Sequence, residues 1–301
     1  PCWDEPEAKA TFEISIIADN KFTAISNMPI KSKKKIKNKT LYKFGKTPVV
    51  STYLIYLGVG EFEYLTGKTG KVTIRVVTTK GNKSKGKYSL DLGKKLLTSY
   101  EKYFGIKYPL PKLDLIAIPD FAAGAMENWG AITFRETILL YDPKTSSTRT
   151  KQFIAEVISH EIAHQWFGNL VTMKWWNDLW LNESFATFMA TKFVDKFYPE
   201  WNLWDQFIED AMNNAMGLDA LKTTHPIDVT VNSPSEIREI FDVISYDKGG
   251  CVLRMLESYV GESNFRTGLK KYLSAFKYGN AKGQDLWDAI GKASKMPVSS
   301  M

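Results

Sequence analysis

Histidine and cysteine are both scarce: the 301 residues hold three histidines and two cysteines. Cys2 and Cys251 lie far apart without paired spacing, which argues against a disulfide framework and favours a reducing compartment. Neither has metal-ligand spacing. The sequence also lacks any run of 18 or more apolar residues, so no membrane span is expected. Its N-terminus has no basic-then-apolar layout of a signal peptide. Internal repeats and low-complexity linkers are absent too. The chain opens without Met and stops just after a helical pattern, so further sequence is expected on both sides.

What is present is an ordinary globular composition, 44% hydrophobic and 13% aromatic, enough for at least one large core in one to three domains. The formal charge of +7 comes largely from lysine, most densely from Lys31 to Lys39. No aromatic residues interleave that run for base stacking, so it reads as the solvated face of a hairpin and no nucleic-acid partner is expected. The lysine-rich, cysteine-poor composition suits a cytoplasmic location.

From Ala10 to Phe62 short strands are predicted at Thr11–Ile17, Leu41–Phe44 and Thr52–Leu57, with turn signals between them. These resemble the end of an all-β domain. Further strands are expected at Val72–Thr79, Leu113–Ile118, Ala131–Phe134 and Thr137–Tyr141, interrupted by a helix over Leu90–Phe104. After Thr150 the periodicity turns helical, over 151–167, 183–197, 203–216, 235–259 and 263–276. The expected division is 1–60 for the end of the β domain and 61–301 for a second domain, with a β lobe to about 150 and a helical lobe beyond.

The most informative pattern is His160-Glu161-Ile162-Ala163-His164 in a helical, apolar context. Four-residue spacing offsets the two imidazoles by only about 40° around a helix, so both can reach one ion. Glu161 projects near the same face and is free to act on a metal-activated water. A hydrolytic zinc needs a third protein ligand and one open position. Glu183, in Trp180-Leu181-Asn182-Glu183 at the start of the next helix, supplies a carboxylate. The turn-rich stretch Phe167–Trp180 would return the chain towards the histidines. Donors of types N, N and O match zinc used for hydrolysis, one ion per chain. Spending two of only three histidines here argues against coincidence. The third, His225 before Pro226, falls in a loop and reads as structural.

Two further segments are ambiguous by themselves. Phe121-Ala122-Ala123-Gly124-Ala125-Met126-Glu127-Asn128-Trp129-Gly130 has the small residues that let an extended backbone lie beside a peptide, and Glu127 can face a free α-ammonium. By itself it reads more readily as a structural turn with a solvated glutamate. Tyr246, in Tyr246-Asp247-Lys248-Gly249, can donate to a developing oxyanion, or can simply pack, as one of fourteen tyrosines.

Together these elements resemble the gluzincin zinc aminopeptidases of the aminopeptidase N, puromycin-sensitive and tricorn-interacting-factor type. The resemblance rests on His160-Glu161-x-x-His164, eighteen residues, then Glu183; on Gly124-Ala125-Met126-Glu127-Asn128; and on Pro1-Cys2-Trp3-Asp4-Glu5-Pro6, all in family order. It implies an α+β fold: a thermolysin-like catalytic domain, with a mixed β lobe and a helical lobe, preceded by the end of an all-β domain.

It also implies removal of N-terminal residues from peptides with a free N-terminus. His160, His164 and Glu183 would bind zinc, and Glu161 would take a proton from the attacking water and later pass one to the departing amine. Tyr246 would stabilise the oxyanion. Gly124 and Ala125 would bond substrate backbone, Glu127 would bind the α-amine, Met126 would line the first specificity pocket, and Asn128 completes that motif. A second amine-binding residue and a helical C-terminal domain belong to the family outside the stretch matched here.

Two other readings compete. A leukotriene A4 hydrolase-like epoxide hydrolase would need an aspartate and a tyrosine where this sequence has Arg238 and Phe241. A catalytically silent binding module would be expected to have lost Glu161 or a ligand, and all are present.

Overall fold

The computed structural model describes residues 2–300; Pro1 of the N-terminal motif and Met301 lie outside them. Seven short strands occupy the first sixty residues: β1 (Lys9–Ala10), β2 (Ser15–Asp19), β3 (Thr23–Ser26), β4 (Ile30–Ile36), β5 (Lys39–Phe44), β6 (Val50–Ser51) and β7 (Leu57–Gly60). All their pairings are antiparallel: β1 with β6, β3 with β7, and a sheet in the order β2-β5-β4. The lysine-rich run forms the expected hairpin, with Ile36 opposite Lys39 and Lys37 at φ 54° in the turn. Its lysines are exposed along β4, a sheet edge, where charge deters pairing with another chain.

Of the strand predicted at Thr52–Leu57, Thr52–Leu54 is a 3₁₀ turn and only Leu57 is in a strand, as the start of β7. Long-range contacts override its β propensity: the Leu54 carbonyl accepts Asn27 Nδ2 at 2.8 Å and the Trp129 N–H at 3.3 Å.

Five strands follow, β8 (Phe62–Thr69), β9 (Val72–Thr79), β10 (Lys112–Ile118), β11 (Ala125–Met126) and β12 (Ala131–Arg135), in the sheet order β11-β12-β10-β9-β8. β9 and β10 run parallel, which requires a crossover, supplied by the helix α1 (Lys87–Phe104). Buried on almost every residue, β10 has the apolar run of a strand covered on both faces. Its exceptions satisfy one another. Lys112 Nζ contacts Asp114 Oδ2 and the carbonyls of Ser26 and Gly130, all at 2.7 Å, while Arg75 forks onto both Asp114 oxygens at 2.6 Å.

Thr137–Tyr141 is not a strand. Glu136–Ile138 forms a 3₁₀ turn, and the Leu139 carbonyl next to it accepts the buried hydroxyl of Ser89 from α1.

Helices dominate thereafter: α2 (Thr148–Ala163), α3 (Trp180–Phe197), α4 (Leu203–Phe207), α5 (Asn213–Asp219), α6 (Gly249–Val260), α7 (Glu262–Phe276) and α8 (Gly283–Ser294). Ser147 caps α2 by accepting the Thr150 N–H at 3.1 Å. The helix predicted over 235–259 is broken into a 3₁₀ segment (Pro234–Ile240), a single π turn (Ile244–Lys248) and α6. A short parallel pair, β13 (Thr172–Met173) and β14 (Asn280–Ala281), joins the stretch before α3 to the stretch before α8.

The observed fold is thus mixed α and β, with a β-rich N-terminal region and a helical part. By contacts the chain divides into two compact units, one principally Ala8–Ser99 with Tyr108–Ile162, the other principally Tyr100–Lys107 with Ala163 onward. The second is built on aromatic packing, including Phe167 stacked on Phe185 at 4.2 Å and Tyr100 edge-on to Phe193 at 4.6 Å. Among the described residues no helix is long and apolar enough to cross a membrane.

Candidate metal centre

His160 and Glu161 lie on the last turn of α2, whose apolar stripe Ile154, Ala155, Ile158 and Ile162 is fully buried. That burial orients the helix and so the polar side chains it carries. The helix closes at Ala163, four residues short of the predicted end, and His164 stands on the turn that follows. The spacing survives because the turn continues the helical path, with the Phe167 N–H on the Ala163 carbonyl at 3.1 Å.

His164 is held from behind. Its Nδ1 lies 3.0 Å from the Phe167 carbonyl, an acceptor, so Nδ1 carries the proton and Nε2 presents its lone pair. Nε2 lies 3.2 Å from Glu183 Oε2. Gly168 makes the tight turn possible. At φ 124° it occupies backbone space few other residues adopt, and an added Cβ would sit 3.4 Å from His164 Nδ1 and 3.3 Å from Asn182 Nδ2. Trp166 Nε1 donates to the Ile106 carbonyl at 3.1 Å, and the Phe167–Phe185 stack ties the same turn to α3 two residues beyond Glu183. Aromatic pairs of this kind contribute about 0.5–1.5 kcal/mol beyond their buried area.

Glu183 occupies the first turn of α3, a helix buried on nearly every face. The helix N-terminus favours its negative charge, but a buried carboxylate is costly without a cationic partner. The structure supplies a place for one: single ligand atoms from His160, His164 and Glu183 all lie within 4.8 Å of one another. Two imidazoles and one carboxylate, with His164 presenting a nitrogen lone pair, fit hydrolytic zinc. Glu161 is buried at 6% exposure, as a group shielded from bulk water would be.

The other predicted residues are placed as follows. Ala125 and Met126 form β11, at the edge of the five-stranded sheet, paired to Phe134 and Thr133 of β12. Gly124 accepts the Arg135 N–H at 2.9 Å, and Arg135 also pins the preceding loop through the carbonyls of Phe121 and Ala122. Glu127 and Asn128 are buried, and Asn128 accepts the Thr133 hydroxyl at 3.3 Å. Met126 and Asn128 line a cavity of about 560 Å³ together with Tyr56, Phe62 and Phe121.

Tyr246 sits in the π turn Ile244–Lys248. Ser184, next to Glu183, donates to the Ser245 carbonyl, next to Tyr246, at 2.7 Å. Gly249 closes that turn where it crosses α3; a Cβ there would lie 1.8 Å from Ser184 Oγ.

Sequence reasoning took Gly168 only as a turn signal in the stretch Phe167–Trp180 and did not single out Phe167, Ser184 or Asp242. The only signal for any of them was a glycine beside each motif, Gly168 after His164 and Gly249 after Tyr246.

This donor set, from the end of α2, the turn after it and the start of α3, is one that could hold a metal ion. Residues 88–301 match the peptidase family M1 domain and residues 1–54 the peptidase M1 N-terminal domain. The chain is 54% identical over 301 residues to the probable aminopeptidase 2 of Sulfurisphaera tokodaii and 51% identical over 299 residues to a leucyl aminopeptidase of Saccharolobus solfataricus. It is 52% identical over 299 residues to the tricorn protease-interacting factor F2 of Thermoplasma volcanium. Each comparison covers at least 99% of this chain and 38% of the relative, so the chain spans well under half the length of the curated relatives it matches. The chain belongs to peptidase family M1.

Proposed function

We propose that this chain carries the catalytic centre of a zinc aminopeptidase that hydrolyses the first peptide bond of peptides with a free N-terminus. The observation that carries the reading is the convergence of His160, His164 and Glu183 ligand atoms within 4.8 Å. These three residues would hold one zinc ion, which when bound supplies Lewis acidity towards the scissile carbonyl and lowers the pKa of a water towards roughly 7.

Glu161 accepts the proton of the attacking water and returns one to the departing amine. The Tyr246 phenol donates to the oxyanion, an interaction worth a few kcal/mol. β11 lies at a sheet edge, which supports backbone pairing of an extended peptide with Gly124 and Ala125. The Glu127 carboxylate takes the substrate α-ammonium, restricting attack to the first bond. Met126 lines the first side-chain pocket, and Asn128 braces the strand end through Thr133. The division into a β region at 1–60 and a catalytic region at 61–301 belongs to the same reading.

The test is Glu161→Gln. One zinc per chain by elemental analysis should remain, while turnover of an aminoacyl fluorophore should drop by roughly 10²-fold or more. Turnover at the unsubstituted rate would overturn the assignment.

A further inference from the structure

The third histidine is bound to the turn that carries Tyr246. His225 Nε2 lies 2.9 Å from Asp242 Oδ2, and His225 Nδ1 lies 2.8 Å from the Pro226 carbonyl. Asp242 is the starting post of the π turn. Its Oδ1 accepts the N–H groups of Ile244 at 2.9 Å and Ser245 at 3.3 Å, and its carbonyl accepts the Tyr246 N–H at 3.1 Å. It thereby satisfies the donors that a helical turn leaves open at its start. On the far side of Tyr246, Lys248 Nζ contacts Asp219 Oδ1 at 2.7 Å, and the same oxygen accepts the Thr224 hydroxyl at 2.8 Å. Asp219 ends α5, and Thr224 directly precedes His225.

One short segment therefore reaches both flanks of the tyrosine. The π turn opens the helix that continues as α6, so its first amides need partners from outside the helix. Exposed ion pairs contribute little to global stability, so the value of this arrangement lies in fixing a direction. A phenol displaced by about 1 Å from its productive position can cost on the order of 10²-fold in rate.

We infer that the segment Asp219–His225 is a strap that positions the Tyr246 phenol, with His225–Asp242 and Asp219–Lys248 as its two anchors. His225 is on this account a positioning residue. The inference rests on the reading of Tyr246 as the oxyanion donor, and its test separates the two.

In the zinc-loaded protein, His225→Ala should lower kcat about 10-fold to 100-fold with KM and zinc content retained. It should also speed amide hydrogen exchange at Ile244, Ser245 and Tyr246. His225→Gln, which keeps a donor towards Asp242, should recover most of both losses. In a Tyr246→Phe background, His225→Ala should cause no further loss of kcat. The strap is overturned if His225→Ala leaves kcat and exchange unchanged, or if its loss multiplies in full with that of Tyr246→Phe. If Tyr246→Phe turns over at the unsubstituted rate, the oxyanion reading itself falls. If Tyr246→Phe is impaired and His225→Ala is not, only the strap falls.

Discussion

Ser184 Oγ donates to the Ser245 carbonyl across 2.7 Å, so the residue after Glu183 is tied to the residue before Tyr246. A proposed metal ligand and a proposed oxyanion donor, 63 positions apart in the sequence, thus share one hydrogen-bonded crossing. Gly249 is the cost of that closeness, since a Cβ there would overlap Ser184 Oγ at 1.8 Å.

Gly249→Ala should therefore push the π turn off α3. Overpacking of this sort destabilises by about 1–3 kcal/mol, read as a lowered urea midpoint. Ser184→Ala removes the nearest atom, so the double variant should recover part of the loss. A strictly additive pair would contradict the crossing as described.

Gly168→Ala tests the support behind His164. The positive φ and the 3.3 Å approach to Asn182 Nδ2 should shift the turn whose Phe167 carbonyl holds His164 Nδ1. Disturbing a ligand's outer partners typically weakens metal binding about 10-fold to 100-fold. Competition with a chromogenic chelator measures this directly, and unchanged zinc affinity would remove the Phe167–Gly168 turn from the account.

Lys112→Met tests the buried charges of the five-stranded sheet. It leaves the fully buried Asp114 side chain with Arg75 as its remaining cationic partner and removes the ammonium donor from the Ser26 and Gly130 carbonyls. Breaking a buried pair by removing one partner costs about 3–5 kcal/mol. Urea unfolding should show a loss of that order. A near-neutral result would mean that the network contributes specificity and little stability.

Asp247→Asn makes a prediction in pH. Burial pushes the Asp247 carboxyl from 3.8 up to about 6. The folded state thus prefers the protonated form. The stability this contributes is complete below pH 3.8 and is lost as pH rises through about 6. The variant should match the parent at pH 3.5 and exceed it at pH 8 by about 1 kcal/mol, allowing for partial exposure. Equal stabilities at pH 8 would remove the buried charge as a cost.

The strands and helices that could be read from periodicity are those whose burial follows a local pattern. Val72–Thr79 and the body of α3 are buried as their apolar residues demand. Thr52–Leu57 and Thr137–Tyr141 have equally good strand compositions but lie where Asn27 and Ser89 capture their carbonyls, so the backbone turns. The helix expected over 235–259 breaks at Asp242 because that side chain bonds the next amides in place of solvent. For Asn27 and Ser89 the competing partner lies tens of residues away, outside any local window, whereas Asp242 acts within three residues as a local side-chain competitor.

By itself the sequence marked the proposed donor set, since four-residue spacing brings His160 and His164 together wherever the chain follows a helical path. It also marked Glu183 as a helix-start carboxylate and aligned the motifs in the order of one peptidase family. Only the tertiary structure decided which nitrogen His164 presents, how Glu183 approaches it, and what holds the Tyr246 turn. Those depend on the Phe167 carbonyl, on the Ser184–Ser245 crossing and on the His225–Asp242 pair. The first is made within one turn and the other two by chain return, and in each directional hydrogen bonds and close packing select one arrangement among many that the same residues permit.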